Sequence, residues 1–203
     1  MLKLGIFGGT FNPIHIGHLI VAQSVLEDLS LDKIIFIPTG NPPHKNFNMI
    51  ESGFRRLDMI TRATKSNEKF DISDIEVVRE GVTYTFDTLI KIRQVFNKSE
   101  INFIIGYDTL LDMKNWYNIH EVVKLAKFIV VNRNEQTSVI KNAIEFFKKG
   151  FGGEFELVNI PNIDVSSSDI RKRIIEGKDI NYMVTKPVYD YIIDNNLYRG
   201  DFI

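Results

Sequence analysis

The sequence lacks cysteine altogether, and it lacks an excess of either charge. Without cysteine the chain has no disulfides, no thiolate metal ligands and no cysteine nucleophile, a composition that fits a reducing compartment. The 25 Lys and Arg residues nearly balance the 26 Asp and Glu residues. Because a nucleic-acid-binding surface usually needs a basic excess, we expect no nucleic acid among the partners.

Long hydrophobic runs are also missing. No apolar stretch approaches the ~20 residues that span a bilayer, and the N-terminal MLKLGIFGGTF is too short and too glycine-broken for a signal peptide. We therefore expect a cytoplasmic protein without a membrane partner. The 203 residues, of which 44% are apolar and 25% charged, suit one globular domain with a substantial core.

Short β-branched runs alternate along the chain with stretches of helical period. The runs are nearly continuous in hydrophobicity, which is typical of strands buried on both faces of a parallel sheet. Strands are predicted at 3–7, 33–38, 101–106, 127–132 and 154–160, with a weaker run at 70–77. Helices are predicted at 18–29, 53–64, 85–96 and 138–149. The alternation predicts an α/β fold with a doubly wound, Rossmann-like and mostly parallel sheet.

The pattern changes after residue 161. Two helices are predicted there, at 166–177 and 186–198, with no strand between them. We therefore expect a single domain with a Rossmann-like core over 1–161 and a small helical C-terminal appendage over 162–203. One long loop, 39–52, contains prolines and a glycine that disfavour regular structure, and its length makes it a candidate functional loop.

The stretch GGTFNPIHIGHL, residues 8–19, directly follows the first predicted strand. Glycines there let the backbone approach a ligand, and a helix starting near Ile16 adds free N–H groups, which predicts an anion site suited to phosphate. His15 and His18, about 60° apart on the helix, could both donate to that phosphate, and Gly17 would leave room for a base or ribose. The alternatives are a plain tight turn and half of a zinc site that no nearby Asp, Glu or Cys completes.

This stretch resembles the signature of the nucleotidyltransferase superfamily, a Gly-Gly turn followed by H-x-G-H. The superfamily contains small adenylyl- and cytidylyltransferases and is related to class I aminoacyl-tRNA synthetases. A second stretch, VSSSDIRKRI at 165–174, resembles its I-S-S-T-x-I-R motif. Serines at a helix start cap it, and Arg171 can form charge-assisted bonds to phosphate oxygens. By itself SSSD indicates only a good N-cap, but beside the first motif it favours a β/γ-phosphate site.

Within that superfamily, the chain most resembles the bacterial nicotinate-nucleotide adenylyltransferase family. The matching stretches span nearly the whole chain and are GGTFNPIHIGHL, PTGNPPHK, YTFDTL, GYDTLLDMKNWYNI and VSSSDIR. The resemblance implies adenylyl transfer from ATP to nicotinate mononucleotide, a step of NAD biosynthesis that yields nicotinate adenine dinucleotide and pyrophosphate. It also implies Mg²⁺ bound mainly through the ATP phosphates, with no metal site built from protein side chains.

The resemblance further implies which residues form the site. Catalytic roles fall to His15, His18, Lys45 and Arg171. ATP binding falls to Gly8, Gly9, Thr10, Phe11, His18, Gly106, Arg133, Ser167, Ser168 and Arg171. Binding of nicotinate mononucleotide falls to His44, Lys45, Thr85, Asp108, Trp116 and Tyr117. Thr85 would start a helix facing the nicotinate carboxylate, although it could also be a simple N-cap, and Trp116 would stack on the pyridine ring.

Several alternatives stay open. The family often has Asp where this chain has Asn12, which puts a metal-linked role there in doubt and leaves a turn-forming one. The acceptor could be nicotinamide mononucleotide or phosphopantetheine, although phosphopantetheine enzymes are typically shorter and are not expected to carry PPHK and NWY. The length disfavours a synthetase, and the retained histidines, Lys45 and Arg171 disfavour a non-catalytic nucleotide sensor. A homo-oligomer is neither predicted nor excluded.

Overall fold

A computed structural model describes residues 1–41, 50–132 and 136–199 of the chain. One six-stranded sheet runs through it in the order β3-β2-β1-β4-β5-β6, and every neighbouring pair is parallel. The strands are β1 (Lys3–Gly9), β2 (Lys33–Pro38), β3 (Phe70–Ile72), β4 (Glu100–Gly106), β5 (Lys127–Asn132) and β6 (Glu154–Asn159). The predicted doubly wound, Rossmann-like fold is confirmed, and the sheet is parallel throughout.

Helices connect the strands and cover both faces of the sheet. They are α1 (Ile16–Asp28), α2 (Gly53–Thr64), α3 (Thr85–Val95), α4 (Tyr107–Asp112), α5 (Ile119–Leu125), α6 (Thr137–Phe151), α7 (Ser167–Ile175) and α8 (Lys186–Asp194), with a 3₁₀ turn at Met113–Asn115. Every helix predicted from periodicity is present. None of the described helices is long and apolar enough to cross a membrane.

Two short helices, α4 and α5, were not predicted. They lie on either side of the 3₁₀ turn, in a stretch for which the sequence predicted no helix or strand. Each helix is too short to repeat a hydrophobic period, so the pattern on which helix prediction depends is missing. The weak run at 70–77 was also wrong in extent, because β3 ends at Ile72 and a turn follows.

The core is divided by the sheet into two clusters of buried side chains. Alternate residues of the strands point to opposite faces, so Leu4 and Ile6 join one cluster while Phe7 joins the other. The central strands are buried along almost their whole length, as their continuous hydrophobicity predicted. The edge strand β6 is only partly buried.

The C-terminal helices pack on the same core as α1 and α2. Ile170 of α7 and Val188 and Ile192 of α8 belong to the cluster that contains Phe7. Tyr198, which follows α8, is 1% exposed and joins the same cluster. This packing brings the second sequence motif, at the start of α7, next to the turn that follows β1. The predicted division of the chain at residue 161 stays a prediction.

Candidate active site

A cavity of about 810 Å³ lies at the carboxyl ends of β1 and β4. These strands are neighbours at the point where the strand order reverses, which is where open α/β sheets bind their ligands. The volume is within the range of pockets that hold small molecules. The cavity therefore has the position and the size expected for a nucleotide site.

Two groups of residues make up most of the cavity lining. We call the first group the glycine-turn wall, and it consists of Gly8, Gly9, Thr10, Phe11 and His18. We call the second group the aromatic wall, and it consists of Tyr84, Thr85, Gly106, Tyr107, Asp108, Thr109, Asp112, Asn115, Trp116 and Tyr117. Residues predicted for ATP binding and residues predicted for nicotinate mononucleotide binding therefore line one cavity.

The glycine-turn wall begins where β1 ends. Phe11 has a left-handed backbone, with φ of 48°, and its ring is 2% exposed. A Cβ atom on Gly9 would lie 2.8 Å from that ring, closer than real contacts allow. Glycine at this position therefore lets the Phe11 ring fold back under the turn, which keeps the backbone of the turn at the cavity surface.

The two predicted histidines lie together but face different surroundings. His15 is the N-cap of α1, and its ring stacks on that of His18 with a centroid distance of 3.7 Å. The His15 N–H donates to Nδ1 of His18 at 3.3 Å, so a neutral His18 ring carries its proton on Nε2. His18 lines the cavity, whereas His15 is 4% exposed and is not among the lining residues.

The expected room above Gly17 is filled. A Cβ atom on Gly17 would lie 3.0 Å from Nδ1 of His15. Gly17 therefore makes room for the imidazole of His15, the N-cap of α1, rather than for a base or ribose.

Asn12 connects the turn to two distant segments. It is 3% exposed, and its Oδ1 accepts hydrogen bonds from the Tyr198 hydroxyl at 3.0 Å and from the Glu51 N–H at 3.1 Å. Asn12 lies in a turn, which agrees with the turn-forming role that the sequence left open. Its side-chain oxygen joins the turn to the start of α2 and to the C-terminal segment.

The second motif caps α7 and contacts the same turn. Ser166 is the N-cap, and its Oγ accepts from the Asp169 N–H. The Ser167 hydroxyl donates to the Pro13 carbonyl at 2.8 Å. Arg171 donates through Nη1 to the backbone carbonyl of Asn12 at 2.8 Å. The two motifs are therefore in contact, as their pairing implied.

The second motif nevertheless does not line the cavity. Ser167, Ser168 and Arg171 are absent from the residues that surround the cavity in the described parts of the chain. Arg171 also donates to the Ser168 hydroxyl at 3.2 Å. Their predicted phosphate-binding role stays a prediction.

The aromatic wall is open to solvent. Tyr84 is the N-cap of α3 and makes no capping bond with its side chain, so the expectation that Thr85 could be the N-cap was wrong and Thr85 is instead the first helical residue. Tyr117 is 53% exposed, and its ring lies 4.8 Å from that of Tyr84. Asp108 is exposed, and a Cβ atom on Gly106 would meet nothing within 4 Å.

Trp116 is half-buried and lies at the edge of the core. Its ring packs edge-on against Phe103 at 6.2 Å and Phe128 at 6.5 Å. Because Trp116 also lines the cavity, one part of the ring is fixed by the core while another remains accessible to a ligand. This arrangement suits a platform for a flat ring.

Sequence reasoning missed the buried carboxyl of Glu76, which lines the cavity. It accepts hydrogen bonds from the Thr88 hydroxyl at 2.8 Å and from the Gly40 N–H at 3.2 Å. Burial raises the pKa of this carboxyl above its ordinary value, and these hydrogen bonds oppose the shift. A lone Glu in a weak strand-like run gave no signal for this position.

Sequence reasoning also missed Arg56, for which a signal existed. The helical period of α2 places Arg56 on one stripe with Met59, Ile60 and Ala63, all buried. A charged residue on an apolar stripe indicates a specific buried partner, because an unpaired charge in a core is costly. The neighbouring Arg55 lies off this stripe and is exposed.

A family model described as "Cytidylyltransferase-like" matches residues 6–173 of this chain. The chain belongs to the cytidylyltransferase-like family. The matched residues include the cavity and both motifs, so membership of the cytidylyltransferase-like family rests on the stretch that builds the site.

Curated relatives match over nearly the full length. A protein of Thermoanaerobacter sp. (strain X514) is 38% identical over 202 residues, covering 98% of this chain and 96% of the relative. A protein of Clostridium acetobutylicum is 40% identical over 203 residues, covering 98% of this chain and 100% of the relative. Both are named "Probable nicotinate-nucleotide adenylyltransferase".

Solved structures of more distant proteins share the fold. The nicotinic acid mononucleotide adenylyltransferase of Plasmodium falciparum complexed with APC superposes with a TM-score of 0.79 at 23% identity, covering 100% of this chain and 99% of that chain. The same enzyme complexed with NaAD superposes with a TM-score of 0.81 at 24% identity. At this identity the likeness establishes a common architecture.

Three predicted site residues, His44, Lys45 and Arg133, lie outside the described residues. Over 1–41, 50–132 and 136–199, no group of three or more His, Asp or Glu side chains is placed to hold a metal ion. The described donor set therefore does not fit a metal site built by the protein.

Proposed function

We propose that this chain transfers the adenylyl group of ATP to nicotinate mononucleotide, producing nicotinate adenine dinucleotide and pyrophosphate. Relatives 38% and 40% identical over nearly the whole chain carry the name of this activity. The observation that carries the proposal is a single cavity lined by a phosphate-type turn with His18, by the start of α3 and by Trp116 and Tyr117. Such a cavity can hold two anionic substrates end to end.

The glycine-turn wall would hold the phosphates of ATP. Backbone N–H groups near Thr10 and Phe11 and the Nε2–H of His18 would donate to phosphate oxygens that gain negative charge. The backbone N–H of His15 supports this role. Because it donates to Nδ1 of His18, it leaves Nε2 as the nitrogen that can donate to a ligand. The backbone of α1 adds the partial positive charge of a helix N-terminus.

Arg171 and Lys45 would supply the charged donors. Arg171 is half-buried and is held through the Asn12 carbonyl and the Ser168 hydroxyl. A guanidinium carries further N–H donors, so these bonds do not prevent contact with a phosphate. Ser167 and Ser168, at the start of α7, would line the same phosphate path.

The reaction needs placement more than proton transfer. The 5′-phosphate of nicotinate mononucleotide attacks the α-phosphorus of ATP, a new P–O bond forms, and the bond to pyrophosphate breaks. A phosphate monoester has a second pKa near 6 and is largely dianionic at neutral pH, so no general base is required. Catalysis then consists of bringing two anions together in line and stabilising the charge of the transition state.

The aromatic wall would recognise the acceptor. Free N–H groups in the first turn of α3, at Thr85, favour an anion such as the nicotinate carboxylate. Trp116 would stack on the pyridine ring, the Tyr117 N–H would add a donor, and Asp108 would accept from a ribose hydroxyl. Donors aimed at both carboxylate oxygens would face the NH₂ group of an amide, which disfavours nicotinamide mononucleotide.

Two finer parts of the proposal concern the setting of the reaction. Mg²⁺ is expected to travel with the triphosphate, where its charge would reduce the repulsion between the substrates. A cytoplasmic location is proposed because the chain has no cysteine and its substrates are intracellular nucleotides.

Turnover of purified protein with ATP, Mg²⁺ and each of three acceptors tests the proposal. Nicotinate mononucleotide should release pyrophosphate and form the dinucleotide. Nicotinamide mononucleotide should react at least about tenfold more slowly, since an unpaired buried polar group costs ~1–3 kcal/mol. Phosphopantetheine and ATP alone should give no release. Equal turnover of acid and amide would contradict the acceptor site, and no release with any acceptor would contradict the proposed activity.

A further inference from the structure

Arg56 of α2 is a buried cation whose hydrogen bonds, over residues 1–41, 50–132 and 136–199, all go to backbone carbonyls. It is 2% exposed, and it makes no ion pair with any side chain in the described parts of the chain. Its Nη1 donates to the Thr10 carbonyl at 2.8 Å, its Nη2 to the Thr39 carbonyl at 2.7 Å and its Nε to the Glu51 carbonyl at 2.9 Å. One side chain therefore joins the glycine turn, the end of β2 and the start of α2.

Glu76 occupies the other side of one of these peptides. Its Oε2 accepts from the Gly40 N–H at 3.2 Å, and its Oε1 accepts from the Thr88 hydroxyl at 2.8 Å. Both carboxylate oxygens are therefore engaged. Arg79 is the other nearby charged group, and its covered guanidinium nitrogens make no hydrogen bond to any described residue.

The peptide between Thr39 and Gly40 is held between the two buried charges. In a trans peptide the C=O and the N–H point in opposite directions, so a carbonyl on Arg56 sends the N–H toward Glu76. The spacing leaves no room for a side chain, since a Cβ atom on Gly40 would lie 2.1 Å from the Glu76 carbonyl oxygen. We call Arg56, this peptide and Glu76 the peptide clamp.

The same geometry applies to the glycine turn. The Thr10 carbonyl also points at Arg56, so the N–H of Phe11 faces away from Arg56. Thr10 and Phe11 both line the cavity. Arg56 therefore fixes the orientation of a backbone donor that the proposed function assigns to the phosphates of ATP.

The peptide clamp also connects the two walls. Directly after the peptide clamp, the backbone N–H of Asn41 donates to the Thr83 hydroxyl at 3.1 Å, and the backbone carbonyl of Asn41 accepts from the Thr83 N–H at 2.9 Å. Thr83 and the following Tyr84 line the cavity just before α3. The bonds thus run without interruption from the glycine turn, through Arg56 and the peptide, to the start of the aromatic wall.

We propose that Arg56 and Glu76 are positioning residues for the adenylyl transfer, which act together through the peptide between Thr39 and Gly40 to hold the phosphate-binding turn and the acceptor-binding helix in register. This inference rests on the proposed function. Neither side chain takes part in bond formation. Their effect is to place donors, and misplacement by about 1 Å can lower a rate on the order of 10²-fold.

The kinetic test is Arg56→Lys. An ammonium group cannot hold three carbonyls in a planar fork, so kcat per folded molecule should fall on the order of 10²-fold. Arg55→Lys is the matched control, because Arg55 is adjacent, exposed and paired with Glu51. Ile140→Val controls for stability, since Ile140 is buried in the other core cluster. Both controls should keep kcat within about twofold. Unchanged kcat in Arg56→Lys, with only reduced stability, would overturn the proposal.

Glu76→Gln separates charge from shape and covers the case in which Arg56→Lys does not fold. The amide oxygen can still accept from Gly40, and the Thr88 hydroxyl can turn to the Tyr84 carbonyl, which lies 3.2 Å away. We expect a folded protein with kcat reduced about tenfold and little change in either Michaelis constant. Wild-type kcat in this variant would overturn the proposal.

An amide spectrum tests the peptide clamp without reference to activity. The Gly40 N–H resonance should shift in Glu76→Gln, and it should also shift in Arg56→Lys because both act on one peptide. The kcat losses of the double variant should be smaller than the product of the single losses. The proposed coupling would be overturned if the Gly40 resonance did not shift in Arg56→Lys, or if the kcat loss of the double variant equalled the product of the two single losses. If the wild type turned over no substrate, the proposed function would fail while the spectrum still decided the clamp.

Discussion

The two walls of the cavity are built in opposite ways. Backbone carbonyls of the glycine-turn wall and of the two residues that directly follow Phe11 accept hydrogen bonds from other segments, Thr10 from Arg56, Asn12 from Arg171 and Pro13 from Ser167. The aromatic wall has exposed side chains on a turn and on the ends of short helices. The hydrogen bonds that fix the first wall come from α2 and α7, which lie outside the cavity lining.

The difference corresponds to two physical tasks. Stabilising charge in a transition state requires donors that are oriented before the substrate arrives, because reorganisation during the reaction would raise the barrier. Recognising a flat ring requires apolar area and a few polar contacts, which an open surface can supply when the ligand covers it. We therefore expect changes in the first wall to lower turnover and changes in the second wall to weaken acceptor binding.

Replacement of His18 should have the largest effect. His18→Ala removes the imidazole donor that we propose for the phosphates, and loss of such a donor costs on the order of 10²–10³ in rate. Pyrophosphate release at saturating substrates measures kcat, and circular dichroism checks the fold. His120→Ala is the control, because His120 is exposed and lies outside the cavity lining. Turnover near that of the wild type in His18→Ala would contradict the role of this wall.

Replacement of Trp116 should change binding more than turnover. Trp116→Ala removes the stacking platform that we propose for the pyridine ring, and a loss of about 1.4 kcal/mol corresponds to a tenfold change in affinity. The Michaelis constant for nicotinate mononucleotide should rise about tenfold while that for ATP changes little. Trp116→Phe keeps an aromatic face and should lie between the two. An equal rise in the Michaelis constants for both substrates would show that the aromatic wall does not bind the acceptor selectively.

Replacement of Tyr198 should have the smallest effect and should act on stability. Tyr198→Phe removes a buried hydrogen bond to Asn12, which costs about 1–2 kcal/mol of unfolding free energy. The urea midpoint measures this loss, and kcat per folded molecule should stay close to the wild-type value. Tyr182→Phe is the control, since Tyr182 is 83% exposed. A kcat loss as large as that of His18→Ala would show that the C-terminal segment contributes to catalysis together with the glycine-turn wall.

Prediction from the sequence succeeded where a feature depends on neighbouring residues. The bounds of β2, α2 and β5 match their predicted ranges, because continuous apolar runs and a helical stripe mark them locally. The glycine turn and the start of α3 were found for the same reason. Prediction failed for α4 and α5, which are too short to show a period.

In the site, sequence reasoning identified the lining residues that lie in motifs, and it missed Arg56, which donates to the Thr10 carbonyl. Arg55 and Arg56 are adjacent in the chain and identical in type, yet one is exposed and the other buried. Likewise, the spacing of His15 and His18 predicted their proximity, but it did not predict that only His18 would line the cavity.

By itself the sequence determined the order of strands and helices, the parallel sheet and the turn at the end of β1, because period, capping and glycine placement act over a few residues. Only the tertiary structure decided what holds that turn in place. Arg56 and Thr10 are 46 residues apart, and Arg171 and Asn12 are 159 residues apart. Contacts over such distances form when packed elements bring a donor and an acceptor together, so no local pattern records them.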